Sequence, residues 1–216
     1  MLNRFARALF TRLFTPIARA LVSLGISPDV VTLVGTFGVC VGALAFYPRG
    51  EFLVGTLVIT AFVFSDTIDG IMARMGNRSS RWGAFLDSTL DRVGDAAVFG
   101  GLVLYYAGGE RGFDTLMAVL ALLCLVLGSV VSYARARAEG LGMTADVGIA
   151  ERADRLVAVL VTTGFVGLRW DTGLGLPEVG LTVVLALLAV ASAVTVVQRM
   201  LVVRRQAFAT LARESD

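Results

Sequence analysis

Long apolar stretches alternate with short arginine-bearing connections along most of the chain. Leu2, Phe5, Leu9, Leu13, Ile17 and Leu21 recur at helical spacing, with Arg4, Arg7, Arg12, Thr15 and Arg19 between them. The pattern predicts an amphipathic helix lying in a membrane interface over residues 1–25. A secretory signal is the competing reading, but Arg12, Pro16 and Arg19 interrupt any uncharged core and no small-residue cleavage site follows. Ser27, Pro28 and Asp29 read as a helix start, and a valine- and glycine-rich run then reaches Tyr47. A second apolar run starts at Phe52 and carries Asp66 and Asp69 at its far end. Further runs cover 84–107, 113–132, 156–168 and 181–203. Each approaches the roughly 20 residues that a spanning helix needs, the fifth only if its charged start is included. The expected fold is an all-α integral membrane protein, with six transmembrane helices in residues 26–216 preceded by the interfacial helix.

Composition supports this class. Of 216 residues, 56% are hydrophobic and 17% charged, too apolar for an ordinary soluble domain. All 19 basic residues are arginine. With six spans, only Arg49, Arg111 and Arg169 fall on one side, leaving 16 of the 19 on the other. The positive-inside rule makes the arginine-rich side cytoplasmic and places both termini there, as expected for a multi-pass plasma-membrane protein. The absence of histidine leaves carboxylates to do any acid–base work. Cys40 and Cys124 lie in apolar runs and indicate neither a disulfide framework nor a zinc site. No stretch interleaves aromatic and basic residues in the way that stacks bases, so no nucleic-acid partner is expected. Gly140, Gly142, Thr144 and Gly148 predict a mobile cytoplasmic connection over residues 140–154.

The candidate chemistry lies in residues 66–91, DTIDGIMARMGNRSSRWGAFLDSTLD. Asp66/Asp69 and Asp87/Asp91 are spaced i,i+3 and i,i+4, so each pair projects from one face of its helix. Gly70, Gly76, Asn77, Ser79, Ser80 and Gly83 break the helix between them, which predicts a helical hairpin with facing acids. An ionisable group at the centre of a spanning helix costs about 2.5–3.5 kcal/mol, so four acids call for a cation. Carboxylate oxygens suit hard divalent ions, and such a set could hold two Mg2+ or Mn2+ ions about 4 Å apart. Neutralisation by Arg74, Arg78, Arg81 and Arg92 is the plainer reading, but it does not account for acids in helical register on both arms.

The segment resembles the signature of the CDP-alcohol phosphatidyltransferases, D-x2-D-G-x2-A-R-x8-G-x3-D-x3-D. Asp66, Asp69, Gly70, Ala73, Arg74, Gly83, Asp87 and Asp91 fill it without a gap. The rest of the chain is most similar to the actinobacterial phosphatidylinositol phosphate synthases. The resemblance implies metal ligation by Asp66, Asp69, Asp87 and Asp91, with Asp91 also the proton acceptor. It implies CDP-diacylglycerol contacts from Asp29, Val30, Val31, Thr32 and Ser80. Gly70 and Gly83 would let nucleotide pack on the helices, and Arg74 could reach the diphosphate. Close helix packing remains the other reading of the glycines, and a helix cap that of Asp29.

For the acceptor, Arg135, Arg152, Arg155 and Arg199 fall at the cytoplasmic ends of the last three spans, where guanidinium forks would hold a phosphate. Singly, each also reads as a topology anchor. The resemblance places an acceptor-phosphate pocket at Arg135, Arg155 and Arg199, with Ser132 one turn before Arg135, and leads one to expect lysine where Arg135 stands. The expected activity is phosphatidyl transfer from CDP-diacylglycerol to inositol 1-phosphate by a homodimer. Glycerol 3-phosphate is the alternative acceptor, and a cation transporter the alternative class.

Overall fold

The computed structural model describes residues 2–75, 80–108 and 113–214, and their side chains apart from those of residues 2–11, 66, 170, 171 and 210–214. Among these residues every regular element is helical: α1 (Leu2–Ser23), α2 (Pro28–Phe46), a 3-10 turn (Tyr47–Arg49), α3 (Phe52–Val63), α4 (Ser65–Met75), α5 (Arg81–Gly108), α6 (Thr115–Gly140), α7 (Arg152–Thr172) and α8 (Glu178–Glu214). The boundaries follow local chemistry. Ser27 caps α2, its Oγ accepting from Val30 N, with Pro28 at the first helical position. Asp114 caps α6 by accepting from Met117 N at 3.0 Å. Gly50, at φ +77°, donates to Tyr47 O and turns the chain into α3.

Six helices form a closed ring in which each packs on the next: α2, α5, α6, α8, α7, α3 and back to α2. The core inside it is apolar, built from Val39, Ala43, Ile59, Val98, Leu102, Cys124, Val159 and Leu185 among others. Glycines allow the closest approaches. A Cβ on Gly101 of α5 would fall 2.7 Å from Ala43 O of α2, so the two backbones touch there. Outside the ring, α4 leans on α2, and α1 packs its apolar face on α4 through Phe14, Ala18 and Leu21 against Phe64, Ile71 and Met72.

Among the described residues four segments are long and apolar enough to cross a membrane: Pro28–Arg49, Phe52–Met75, Thr115–Gly140 and Glu178–Ala209. The second is interrupted at Phe64, where α3 passes into α4. α5 and α7 fall outside this set, as Asp87, Asp91, Arg92 and Asp95 dilute the first and Arg152, Asp154, Arg155 and Arg169 the second.

Two expectations need correction. The acid-bearing arms do not form a hairpin packed on itself, because α4 and α5 both pack on α2, which stands between them as a common support. The glycine-rich connection after α6 is strapped to α8 and is not a free loop. Gln206 accepts from Thr144 N at 3.0 Å and donates to Thr144 O at 2.7 Å, Arg199 donates to Val147 O at 2.9 Å, and Thr195 Oγ1 accepts from Ile149 N at 3.1 Å. These three residues share one face of α8, so local glycine content was overridden by partners 46 to 62 residues away.

Candidate active site

The start of α2 joins the two acid-bearing helices. Thr32 Oγ1 donates to Asp69 Oδ2 of α4 at 2.6 Å, with both residues buried. Asp29 Oδ2 accepts from Trp82 Nε1 of α5 at 3.2 Å. Ser80 precedes α5, its Oγ accepting from Gly83 N at 2.9 Å. Val31 packs in the α1–α4 apolar cluster, whereas the Val30 side chain is exposed. Of the residues assigned to CDP-diacylglycerol, Asp29, Thr32, Ser80 and Gly83 are thus drawn together with Asp69, and Val31 could offer a ligand only its backbone.

Among the described residues no other helix's backbone closes on the two signature glycines. A Cβ on Gly70 would meet only Arg74 Nη1, at 3.6 Å. One on Gly83 would meet only Ser80 Oγ, at 3.3 Å, and Asp29 Oδ1, at 3.9 Å. The described atoms that bound both positions are polar side-chain atoms and not the backbone of another helix, which favours a ligand cradle over close helix packing.

On α5, Asp87 is exposed and Asp91 half-buried, one turn apart. Asp91 Oδ1 pairs with Arg152 Nη1 at 2.7 Å, and its Oδ2 lies 3.4 Å from Arg92 Nη2. Arg92 also donates to Ser132 Oγ of α6, and Ser132 donates to Gly128 O at 3.1 Å. Asp66 is in α4 one turn before Asp69, and its side chain lies outside the described set, as do residues 76–79. Among the described residues no three acids or cysteines stand close enough to hold an ion. The donors at hand, Asp69, Asp87 and Asp91, are nevertheless all carboxylates, the chemistry that fits Mg2+ or Mn2+ and not a thiophilic metal.

The arginines divide by partner. Arg135, half-exposed, pairs with Glu139 at 2.9 Å and with Asp146 of the strapped loop at 2.7 Å. Arg199 is 5% exposed, its Nε donating to Val147 O and its Nη1 to Val131 O at 2.5 Å. Arg155 is 2% exposed, lies over Gly128, and donates from Nη1 to Ala150 O at 3.2 Å, while its Nη2 is buried without a hydrogen-bond partner. Arg152 instead turns to the acids of α5, its Nε donating to Asp95 Oδ1 at 3.1 Å.

Sequence reasoning left Asp95 without a role and passed over several other groups. Asp95 continues the series Asp87, Asp91 by a further i+4 step, so helical spacing puts it with the acids of α5. Trp82, Thr195 and Gln206 carry no such signal, since their partners are remote in sequence, and Asp146 meets Arg135 of α6 from the following loop, at no helical spacing.

Residues 25–197 match the CDP-alcohol phosphatidyltransferase family. The phosphatidylinositol phosphate synthase of Streptomyces avermitilis is 55% identical over 209 residues, covering 95% of this chain and 84% of that one. That of Mycobacterium tuberculosis is 43% identical over 198 residues, covering 90% and 87%. The crystal structure of the M. tuberculosis enzyme with CDP-DAG bound superposes with a TM-score of 0.82 at 43% identity, over 89% of this chain and 94% of that one. A second structure of that enzyme, in complex with manganese and citrate, gives 0.82 at 42% identity over 88% of each chain. A match over most of the chain's length, with its signature residues at the junction of α2, α4 and α5, makes this chain a member of the CDP-alcohol phosphatidyltransferase family.

Proposed function

We propose that this chain transfers the phosphatidyl group of CDP-diacylglycerol to inositol 1-phosphate, giving phosphatidylinositol phosphate and CMP. The observation that carries it is a polar junction of two halves. Asp69, Gly70, Arg74, Ser80 and Gly83 lie around the start of α2, and buried arginines on α7 and α8 lie beyond Asp91. The first half suits a nucleotide diphosphate and the second a small phosphorylated polyol, and the named relatives are phosphatidylinositol phosphate synthases.

Asp66, Asp69, Asp87 and Asp91 would hold divalent metal, Mg2+ or Mn2+, and we assign two ions to the four carboxylates. When bound, the ions supply positive charge against the diphosphate and the departing CMP. The chain's own residues do the rest. Thr32 fixes one oxygen of Asp69, and Arg74 beside the open face of Gly70 is placed to neutralise diphosphate oxygens. Arg155 and Arg199, with Arg135 and Ser132 at the rim, hold the acceptor's phosphate so that a hydroxyl faces Asp91. Asp91 takes that hydroxyl's proton as its oxygen bonds to the phosphorus bearing the diacylglycerol. The bond from that phosphorus to the bridging oxygen breaks, and CMP leaves with the electron pair.

We assign six spans, with α5 and α7 joining the four apolar segments. At 28 and 21 residues they are about 42 and 32 Å long, against a hydrocarbon core of about 30 Å, and their charges are those of the site. Both close the helical ring. In this reading α1 lies in the interface ahead of the membrane domain, the termini and site face the cytoplasm, and the membrane is the plasma membrane. The homodimer is carried by family resemblance. The decisive experiment is CMP release by purified protein with CDP-diacylglycerol and a panel of acceptors. Metal-dependent release with inositol 1-phosphate is expected, and release with glycerol 3-phosphate in preference, or none, would overturn the proposal.

A further inference from the structure

Asp95 lies one helical turn beyond Asp91 on α5 and is 7% exposed. A buried carboxylate needs cationic or hydrogen-bonding partners, and both of its partners come from α7. Its Oδ1 accepts from Arg152 Nε at 3.1 Å, and its Oδ2 stands 3.9 Å from Arg155 Nη2. Arg152 also reaches the other way, Nη1 pairing with Asp91 Oδ1 at 2.7 Å. One guanidinium therefore spans two carboxylates on successive turns of α5. Beside the pair lies a cavity of ≈ 10 Å³ bounded by Thr36, Gly94, Asp91, Arg152 and Leu156. That is room for about one water.

We propose that Arg152 and Asp95 are a positioning pair for the Asp91 carboxylate, rather than part of the acceptor's phosphate pocket. The proposal rests on the transferase reading above, in which Asp91 takes the proton. The physical reason is the shape of the guanidinium. An arginine beside a single carboxylate tends to close on both oxygens in a two-pronged pair, which would cover the base. Asp95 occupies the Nε edge, so Arg152 meets Asp91 through Nη1 at Oδ1, while Arg92 Nη2 stands 3.4 Å from Oδ2. Asp95 further links Arg152 to Arg155, so the residue set against the acceptor and the residue set against the base share one buried anchor. Lysine could not replace Arg152, because a single ammonium lacks two separate edges for two carboxylates.

The test uses the purified full chain, reading kcat and both KM values from CMP release with CDP-diacylglycerol and inositol 1-phosphate. Asp95→Asn and Arg152→Lys should each lower kcat at least tenfold while both KM values stay within twofold. In the Arg152→Lys background, adding Asp95→Asn should cost less than a further twofold, because Asp95 acts through Arg152. Where Asp95→Asn yields no folded protein by size-exclusion, Arg152→Lys decides alone. Unchanged kcat in Arg152→Lys, a tenfold rise in its acceptor KM, or fully additive losses in the double variant would overturn the pairing. A wild type that releases no CMP with any phosphorylated polyol overturns the transferase reading itself, and the pairing with it. An active wild type with unaffected variants sinks only the pairing.

Discussion

Thr32 Oγ1 donates to Asp69 Oδ2 at 2.6 Å, joining the start of α2 to an acid 37 residues later. The hydroxyl also lies 3.1 Å from Pro28 O, so the threonine is seated against its own helix while it orients the carboxylate. Family resemblance assigns Thr32 to the lipid nucleotide; the geometry gives it a further task, the aim of the Asp69 carboxylate, which we propose as a metal ligand.

Removing that hydroxyl without changing shape isolates the task. Thr32→Val should raise the Mn2+ concentration for half-maximal CMP release by about 10- to 100-fold, the usual effect of losing a partner that orients a ligand. Melting temperature should move little. An unchanged Mn2+ requirement would show that Asp69 is oriented by something else.

The acids themselves should behave as two kinds. Asp66→Asn, Asp69→Asn and Asp87→Asn should each abolish transfer while the protein stays membrane-inserted, because a charged oxygen ligand is lost at constant size. Asp91→Asn should be equally inactive yet still retain CDP-diacylglycerol in a filter-binding assay. Chelation by EDTA should silence the wild type, with activity restored by Mn2+ or Mg2+. Near-normal turnover in any of the first three variants would argue against their role as ligands.

The arginines proposed to bind the acceptor differ in what else they hold. Arg155→Ala should raise the acceptor KM and cost about 2 to 4 kcal/mol in kcat/KM, with the CDP-diacylglycerol KM little changed. Arg199→Ala should do the same and also lower the melting temperature, since Val147 O and Val131 O lose their donor. Arg111 lies outside the described residues and is the control, since the positive-inside reading of the sequence expects it on the opposite membrane face. Wild type that uses free inositol as readily as its phosphate would remove the reason for the pocket.

Helix approach gives a prediction about stability alone. At Gly101 a methyl group would fall 2.7 Å from Ala43 O, a backbone atom that cannot rotate aside. Gly101→Ala should therefore force α2 and α5 apart and cost about 1–3 kcal/mol, read as a lower melting temperature in detergent. An unshifted melt would mean that the ring of helices relaxes more easily than its packing implies.

What the sequence determined by itself is local. Apolar run length leads to an expectation of six spans, of which four are long and apolar enough among the described helices, Ser27 and Pro28 mark the start of α2, and i,i+3 and i,i+4 spacing puts Asp66 with Asp69 and Asp87 with Asp91, because helical register depends only on near neighbours. The signature spacing identified the family for the same reason. Which helix supports which was decided by tertiary structure: α2 carries both acid-bearing arms, and α8 straps down a connection whose glycines read as mobile. Arg152 shows the difference most clearly. Along the chain it is one of a set of arginines at span ends, chemically alike, and only the fold, which brings the start of α7 within side-chain reach of α5, separates it from Arg155 and Arg199 by setting its guanidinium against Asp91 and Asp95. Charge and spacing fix what a side chain can bind, but the partner it meets depends on contacts between helices remote in sequence, which no periodicity encodes.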